Sequence, residues 1–485
     1  MYTPRLPLKF WQNEALGRSR SPIFAYLMDM GTGKSATVLA DWGTKVYSGA
    51  LNALLIVAPA GSYSNWFLDR SEDELSEATK HLDPALRKDM KVMNWQSGGG
   101  VGWQREFSRF MADKDRPRML VVNTEAYSTV ALARDMSQKF LASSRALMCV
   151  DESTRIRNDS KRTQHIITIG REAAERRIAT GLIAPRSPLD VFYQFNFLDP
   201  RVLGDNWFAF RAQHAIMQRV RINAAGRMAW VVLGYRNVEN IKRKIAPWSY
   251  RVLKENCLDL EPKVFTTRDV ELTLEQSRIY KDLKRYATAA LDGSGFVTAG
   301  LAITQILRLH QLLCGYVVTE EGDVRPVAEN RTAALIEILE EHEGKAIIWV
   351  SYDYSVRRLR DAIQKEFGVD SVAAYWGDNM STRNVEETRF KTEPNCRFMI
   401  STQGSGGLGN NWTVANLVVY FSNTYDLELR AQSEDRAHRL GQINRVTYVD
   451  LVARGTVDEK ILYALRKKID LATAITGENY REWVV

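Results

Sequence analysis

The chain has 485 residues, 45% of them hydrophobic and 26% charged. This is the composition of a globular protein long enough for two or three domains. Lysine and arginine number 66 against 58 acids, a net charge of +8, which suits a polyanion partner but is equally common without one. The four cysteines, Cys149, Cys257, Cys314 and Cys396, form no C-x-x-C pair, so neither a zinc site nor a disulfide framework is expected. The opening MYTPRLPLKFWQ has no signal-peptide core, and no apolar run approaches a membrane span, so the chain is expected in the cytosol or the compartment of its partner.

In chain order, the apolar run IFAYLM leads into MGTGKS and then a helix-like SATVLADWGTKV. Three further buried strands are expected at ALLIVAP (53–59), MLVVNT (119–124) and ALMCVDE (146–152), with a glycine-rich loop SGGGVG at 97–102. A second set follows late, at AIIWVS (346–351), RFMIST (397–402), LVVYFS (417–422) and VTYVDLVA (446–453). Near-continuous apolar strands alternating with helices predict an α/β fold with parallel sheets covered on both faces, and two such sets predict two domains. The stretch between them reads as mainly helical, as in LEQSRIYKDLKRYATAAL and AITQILRLHQLL. Its exception, QRVRINAAGRMAWVVLGY, predicts a β-hairpin around Ala224-Ala225-Gly226 carrying Arg219, Arg221 and Arg227. That hairpin reads either as a solvated edge or as a prong that touches nucleic acid. The domains are placed at 1–200, 201–330 and 331–485.

The segment YLMDMGTGKSAT nearly fits the phosphate-loop pattern G-x-x-x-x-G-K-S/T, except that Met28 stands where its first glycine belongs. Amides around Gly31, Thr32 and Gly33 can face a phosphate because side chains stay clear. Lys34 supplies charge to the β- and γ-phosphates and the Ser35 hydroxyl can ligate Mg²⁺, at the start of a helix. The bland alternative is a glycine-rich turn with an exposed lysine. In VDEST, Asp151 is placed to hold Mg²⁺ and Glu152 to orient and deprotonate an attacking water; alone, the pair would read as solvated loop acids. In QSEDRAHRLGQ, Arg436 and Arg439 are three apart and would share one helix face. They read either as arginine fingers for a γ-phosphate or as part of a salt-bridged surface helix.

Taken in order, these segments resemble the Swi/Snf-type ATPases of helicase superfamily two, over roughly residues 8–470 and most like the small annealing-helicase-like members and their phage or prophage relatives. LKFWQNEA resembles the adenine-reading segment, with Gln12 as reader. MDMGTGKS resembles motif I, which in this family has no glycine at the equivalent of Met28. IVAPAGSYSNW resembles motif Ia, VDESTRIRNDSKRT motif II, and RIATGLIAPRSPLDVFYQFNFLDP motif III with its sequel. APWSYRVLKENCLDLEPK resembles the Arg–Lys connector, STQGSGGLGNNWTVAN motif V, QSEDRAHRLGQ motif VI and GTVDEKILYALRKK the closing brace helix. The departures are Ser-Thr ending motif II, Ala-Thr-Gly-Leu-Ile-Ala-Pro in motif III, and an extra residue and Trp412 in motif V.

The resemblance implies two RecA-like domains and an ATP hydrolase that moves on DNA. Its nucleotide set is Gln12, Gly31, Thr32, Gly33, Lys34, Ser35, Ala36 and Gly409, and Mg²⁺ lies at Ser35 and Asp151. Lys34, Asp151, Glu152, Arg436 and Arg439 are catalytic. Because motifs I and II lie on one domain and motif VI on the other, hydrolysis is expected to be gated by closure on ATP. Ala60, Gly61, Ser62, Gly406, Gly407 and Asn411 are expected to hold the DNA backbone, with little sequence preference and a steep salt dependence.

The expected activity is translocation on duplex, forked or branched DNA, remodelling or annealing forks. A strand-separating helicase and an ATP-gated DNA-binding scaffold are the alternatives. The chain is expected to be a monomer in a bacterial or phage-infected cytoplasm, or a nucleus, meeting a single-stranded-DNA-binding protein or another replication or recombination factor. The tryptophans at 11, 42, 66, 95, 103, 207, 230 and 248 are candidate base platforms of which most read as packing residues, and His438 reads as a residue that orients motif VI.

Overall fold

The computed structural model describes residues 2–69, 75–96, 100–221, 228–294, 299–319, 321–379, 381–406 and 410–476. Contacts divide the chain into two compact units, Met1–His214 with Arg236–Asp259, and Ala215–Tyr235 with Leu260–Asp470. The middle segment is thus shared between them. Among the described residues no helix is long and apolar enough to cross a membrane.

The strands of the first half are β1 (Ile23–Met28), β2 (Ala53–Ala58), β3 (Lys91–Asn94), β4 (Arg118–Asn123), β5 (Ala146–Asp151), β6 (Glu175–Thr180), β7 (Ala215–Arg221), β8 (Met228–Tyr235) and β9 (Ser249–Val252). Seven form one parallel sheet in the order β3-β4-β2-β5-β6-β1-β9. Every residue of β1 and β2 is buried, as expected of strands covered on both faces. Trp42, on the helix Lys34–Tyr47, packs with Phe24, Tyr26 and Leu54 in one of the cores. Burial of each such side chain contributes about 1.5–3 kcal/mol.

The expected strands IFAYLM, ALLIVAP, MLVVNT and ALMCVDE are present within a residue of their boundaries. β3, β6 and β9 were not expected. β6 opens on Glu175, Arg176 and Arg177, which mask its apolar end. Arg177 is nonetheless fully buried, donating to Asp41 at 2.8 Å and Glu175 at 2.7 Å. SYRV has only Tyr250 and Val252 as apolar residues, too few to announce a strand, and β9 lies at the sheet edge beside β1.

The second unit adds β10 (Val264–Asp269), β11 (Tyr316–Val318), β12 (Val324–Pro326), β13 (Lys345–Val350), β14 (Val372–Tyr375), β15 (Phe398–Thr402), β16 (Ala415–Tyr420) and β17 (Thr447–Val452). Its sheet is parallel, in the order β10-β17-β16-β13-β15-β14. The four late strands expected from sequence are its centre; β10 and β14 complete the edges. Trp349, Trp412 and Tyr420 fill one side of this sheet and Ile348, Leu359 and Phe398 the other. β7 pairs with β8 and β11 with β12 as antiparallel hairpins. The helices Leu274–Ser294 and Ala299–Leu313 bear out the helical reading of the middle.

Candidate nucleotide site

Parallel sheets present their ligand crevices at the carboxyl ends of their strands. In the first unit, β1 and β5 end there, separated by β6. Met28 closes β1 and is fully buried among core residues. It is therefore a strand residue, and the phosphate loop begins after it. This is the physical reason a glycine is dispensable at that position. Gly31 and Gly33 take φ of 80° and 90°, which L side chains rarely adopt. A Cβ on Gly33 would lie 2.0 Å from Gln12 Nε2.

The helix Phe10–Arg18 holds the loop from outside. Trp11 Nε1 and Gln12 Nε2 both donate to Thr32 O, at 2.9 and 3.2 Å, while Gln12 Oε1 accepts from Lys9 N at 2.8 Å. Both ends of the Gln12 amide are thus engaged with the protein itself. Thr32 Oγ1 donates to Asp29 O at 2.7 Å and the residue is buried. Asp29 is fixed in turn by Arg251 Nη2 at 2.8 Å and the Lys254 amide at 2.9 Å. The expected Arg–Lys connector therefore enters the fold as β9 and as a clasp on the phosphate loop.

Lys34 Nζ donates to Met28 O at 3.2 Å and lies 3.8 Å from Glu152 Oε1. Ser35 follows on the first turn of the helix, with Ala36 buried behind it. Asp151 ends β5 with both oxygens held, Oδ1 by Glu152 N at 3.0 Å and Oδ2 by Trp66 Nε1 at 3.1 Å. Burial pushes its carboxyl above the usual range, opposed by the Lys34 ammonium and by these donors. Glu152 sits at φ 46°, a left-handed conformation that costs on the order of 1–3 kcal/mol in a non-glycine residue. Such strain persists where the surrounding structure fixes a side chain.

Three residues escaped the sequence reading. Glu77, on the helix Glu77–His81, pairs with His81 at 3.5 Å. Burial raises its carboxyl, but His81, Lys80 and Ser35 bring it below the usual value. Gln194, fully buried, accepts from Ser153 Oγ at 2.6 Å and donates to Ile183 O and Asp190 O at 2.7 and 2.8 Å. It joins the segment resembling motif II to that resembling motif III. Glu125 accepts from the exposed amide of Ala60 at 3.0 Å. Beside it Gly61 is exposed, and Ser62 is half-buried with its amide donating to Pro59 O at 2.9 Å.

In the second unit, the helix carrying QSE ends at Glu434. Arg436 and Arg439 therefore lie in the turns beyond it, which corrects the expectation of a shared helix face. They converge by another route: Arg436 Nη1 and Arg439 Nη1 both donate to Asn410 O, at 2.8 and 3.1 Å. Arg436 Nε also donates to Gln432 O at 2.9 Å. His438 Nε2 meets Glu261 O at 2.9 Å. Gly406 is buried, and a Cβ there would meet Ser401 Oγ at 2.2 Å and Trp412 at 2.7 Å. Asn411 is exposed, whereas Gly407 and Gly409 lie outside the described residues. Trp412 is fully buried, stacked on Trp349 at 5.5 Å and donating to Glu387 Oε1 at 3.1 Å.

A phosphate loop ending β1, an Asp-Glu pair ending β5 and a second parallel-sheet unit with converging arginines define a helicase-like nucleotide-binding protein. More particularly, the chain belongs to the SNF2-related family: the SNF2-related domain matches residues 15–315 and the helicase conserved C-terminal domain residues 330–441. It is similar to the Protein CHROMATIN REMODELING 4 of Arabidopsis thaliana, 22% identical over 97% of this chain and 21% of that protein. It is also similar to the TATA-binding protein-associated factor mot1 of Aspergillus fumigatus, 25% identical over 63% of this chain and 18% of that protein. The chain thus spans about a fifth of the length of these relatives. Among solved structures it is similar to the Sulfolobus solfataricus SWI2/SNF2 ATPase core in complex with dsDNA, 20% identical with a TM-score of 0.41, covering 98% of this chain and 95% of that one.

Proposed function

We propose that the chain hydrolyses ATP to move along duplex or branched DNA, remodelling or annealing forks. The observation that carries this reading is the meeting of Lys34 Nζ with Glu152 Oε1 at 3.8 Å across β6. That pairing supports a reading in which Lys34 is the cation for the triphosphate and Glu152, in a left-handed backbone conformation, is the base. On ATP binding, Lys34 exchanges its protein acceptors for phosphate oxygens, and Glu152 is released to orient the attacking water. Ser35 and Asp151 fit a Mg²⁺ ion, since the Asp151 carboxylate is held in place by Trp66 and its own chain. When bound, that ion shields the β- and γ-phosphate charge. Arg436 and Arg439 act as the fingers, which in related chemistry supply roughly 10³–10⁵ in rate.

Ala60, Gly61, Ser62 and Asn411 are the proposed phosphate contacts, with Gly406, buried against Ser401 and Trp412, and Gly407 assigned to the DNA by resemblance. Phosphate contacts position a protein without reading sequence, so affinity should fall steeply with salt. Gln12 supports nucleotide selection through the loop it braces, with Gly409 assigned to the nucleotide by resemblance. The test is the rate of ATP hydrolysis with single-stranded, duplex, forked and four-way DNA and with RNA. Stimulation by duplex or branched DNA is expected, and equal rates with and without any nucleic acid would overturn the reading. Strand displacement with and without a single-stranded-DNA-binding protein separates translocation from unwinding.

A further inference from the structure

The hairpin formed by β7 and β8 departs from the rest of the molecule in what it exposes. Met228, Trp230 and Val232 alternate along β8, so they share one face, and they are 40%, 59% and 39% exposed. Arg219 stands directly opposite Trp230 in the register, where cross-strand side chains share a face. Arg219 is itself exposed and forms no ion pair among the described residues. Trp230 is the one exposed tryptophan among the described residues; the others are buried or half-buried. Charge follows the same pattern. From Asn206 to Val238 the sequence has five arginines and no acid.

We propose that this face binds an unpaired DNA strand, with a base stacked on the Trp230 indole and the adjoining phosphate held by Arg219. The proposal rests on the reading of the chain as a DNA-driven motor and adds a strand contact to it. A duplex offers its phosphates and base edges, while its base faces are covered by their own stacking. An unpaired base instead presents a flat apolar face of the kind Trp230, Met228 and Val232 complement. An acidic protein segment would satisfy Arg219 but would leave the exposed indole without a flat partner. The excess of arginine with no acid nearby makes the strand polyanion the complementary occupant.

The experiment measures equilibrium binding of the full chain to labelled oligothymidine and to a blunt duplex of equal length, at fixed salt and without nucleotide. W230A should weaken oligothymidine binding about tenfold, from the usual worth of a base–aromatic stack, while W230F stays within about threefold. R219A should weaken it and reduce its salt slope by about 0.7, the value for one single-strand phosphate contact. Duplex binding and duplex-stimulated ATP hydrolysis should stay within about twofold, and equal melting temperatures show that the variants fold. An equal loss on duplex, no loss on either DNA, or equal displacement of oligothymidine from wild type and W230A by polyglutamate would each overturn the proposal. A wild-type chain whose ATP hydrolysis ignores DNA would sink the motor reading, and that result is distinct from the Trp230 binding comparison.

Discussion

The hydroxyl of Ser153 donates to the side-chain carbonyl of Gln194 at 2.6 Å, and the same glutamine donates to Ile183 O at 2.7 Å. One buried side chain therefore links the residue after the Asp151-Glu152 pair to the loop that follows β6. Gln194→Ala should leave a buried hydroxyl and a buried carbonyl unpaired, at about 1–3 kcal/mol each in the folded state. We expect a lower melting temperature and DNA stimulation of ATP hydrolysis reduced severalfold, with nucleotide affinity close to wild type. Unchanged DNA stimulation would show that the link is structural only.

Glu152 is expected to be dispensable for binding and essential for turnover. Glu152→Gln keeps the shape and removes the base, so hydrolysis should fall by about 10² or more while a fluorescent ATP analogue binds as before. Lys34→Ala should instead lose both, since it removes the cation that faces the phosphates. Surviving turnover in the glutamine variant would reassign the base.

Glu125 occupies the Ala60 amide, which is one of the proposed contacts for a DNA phosphate. A carboxylate and a phosphate compete for the same donor, and the carboxylate also repels the strand. Glu125→Gln should therefore tighten duplex binding by roughly threefold or more at low salt, an advantage that fades as salt screens the charge. Weaker binding in this variant would mean that the carboxylate shapes the loop rather than masking it.

His310 lies buried in the second unit, its Nδ1 2.7 Å from the Tyr352 hydroxyl, with Asp458 3.8 Å from Nε2 and Arg331 beyond it. Burial lowers its pKa to about 4, against the pull of Asp458 and with the help of Arg331. Above pH 6.5 the imidazole is neutral whether folded or not, so its full contribution is present. Between about 6.5 and 4 only the unfolded chain takes up the proton, and stability falls as pH falls. The window corresponds to about 3 kcal/mol. Melting of wild type and His310→Gln from pH 7.5 to 5 should show a shallower pH slope in the variant.

Much of the candidate nucleotide site was legible because its residues are local in the chain. Lys34 and Ser35 follow their glycines directly, and Asp151 and Glu152 end an apolar strand. The residues that escaped make their contacts across long stretches of chain. Gln194 is 41 residues from Ser153, and Glu125 is 65 from Ala60, and no periodicity announces either. Arg436 and Arg439 were found with the wrong local geometry. Their helix stops at Glu434, where the Arg436 amide tightens onto Ser433 O at 3.3 Å, and beyond it Trp412 N donates to the Arg436 carbonyl at 2.9 Å while the arginine side chains turn toward Asn410. β6 and β9 were missed because strand pairing and ion pairs, buried at Arg177 and partly buried at Arg251, rather than apolar content, hold them in the sheet.

The position of β9 bears on how the polypeptide could be divided. This strand follows the β7–β8 hairpin in sequence, yet it lies at the sheet edge beside β1, where Arg251 and the Lys254 amide grip Asp29. A single protease cut between Arg221 and Met228 would sever the backbone while leaving the two fragments knitted by a shared ladder. The pieces should co-elute as a nicked complex, and two separately expressed halves divided there should complement each other in nucleotide binding.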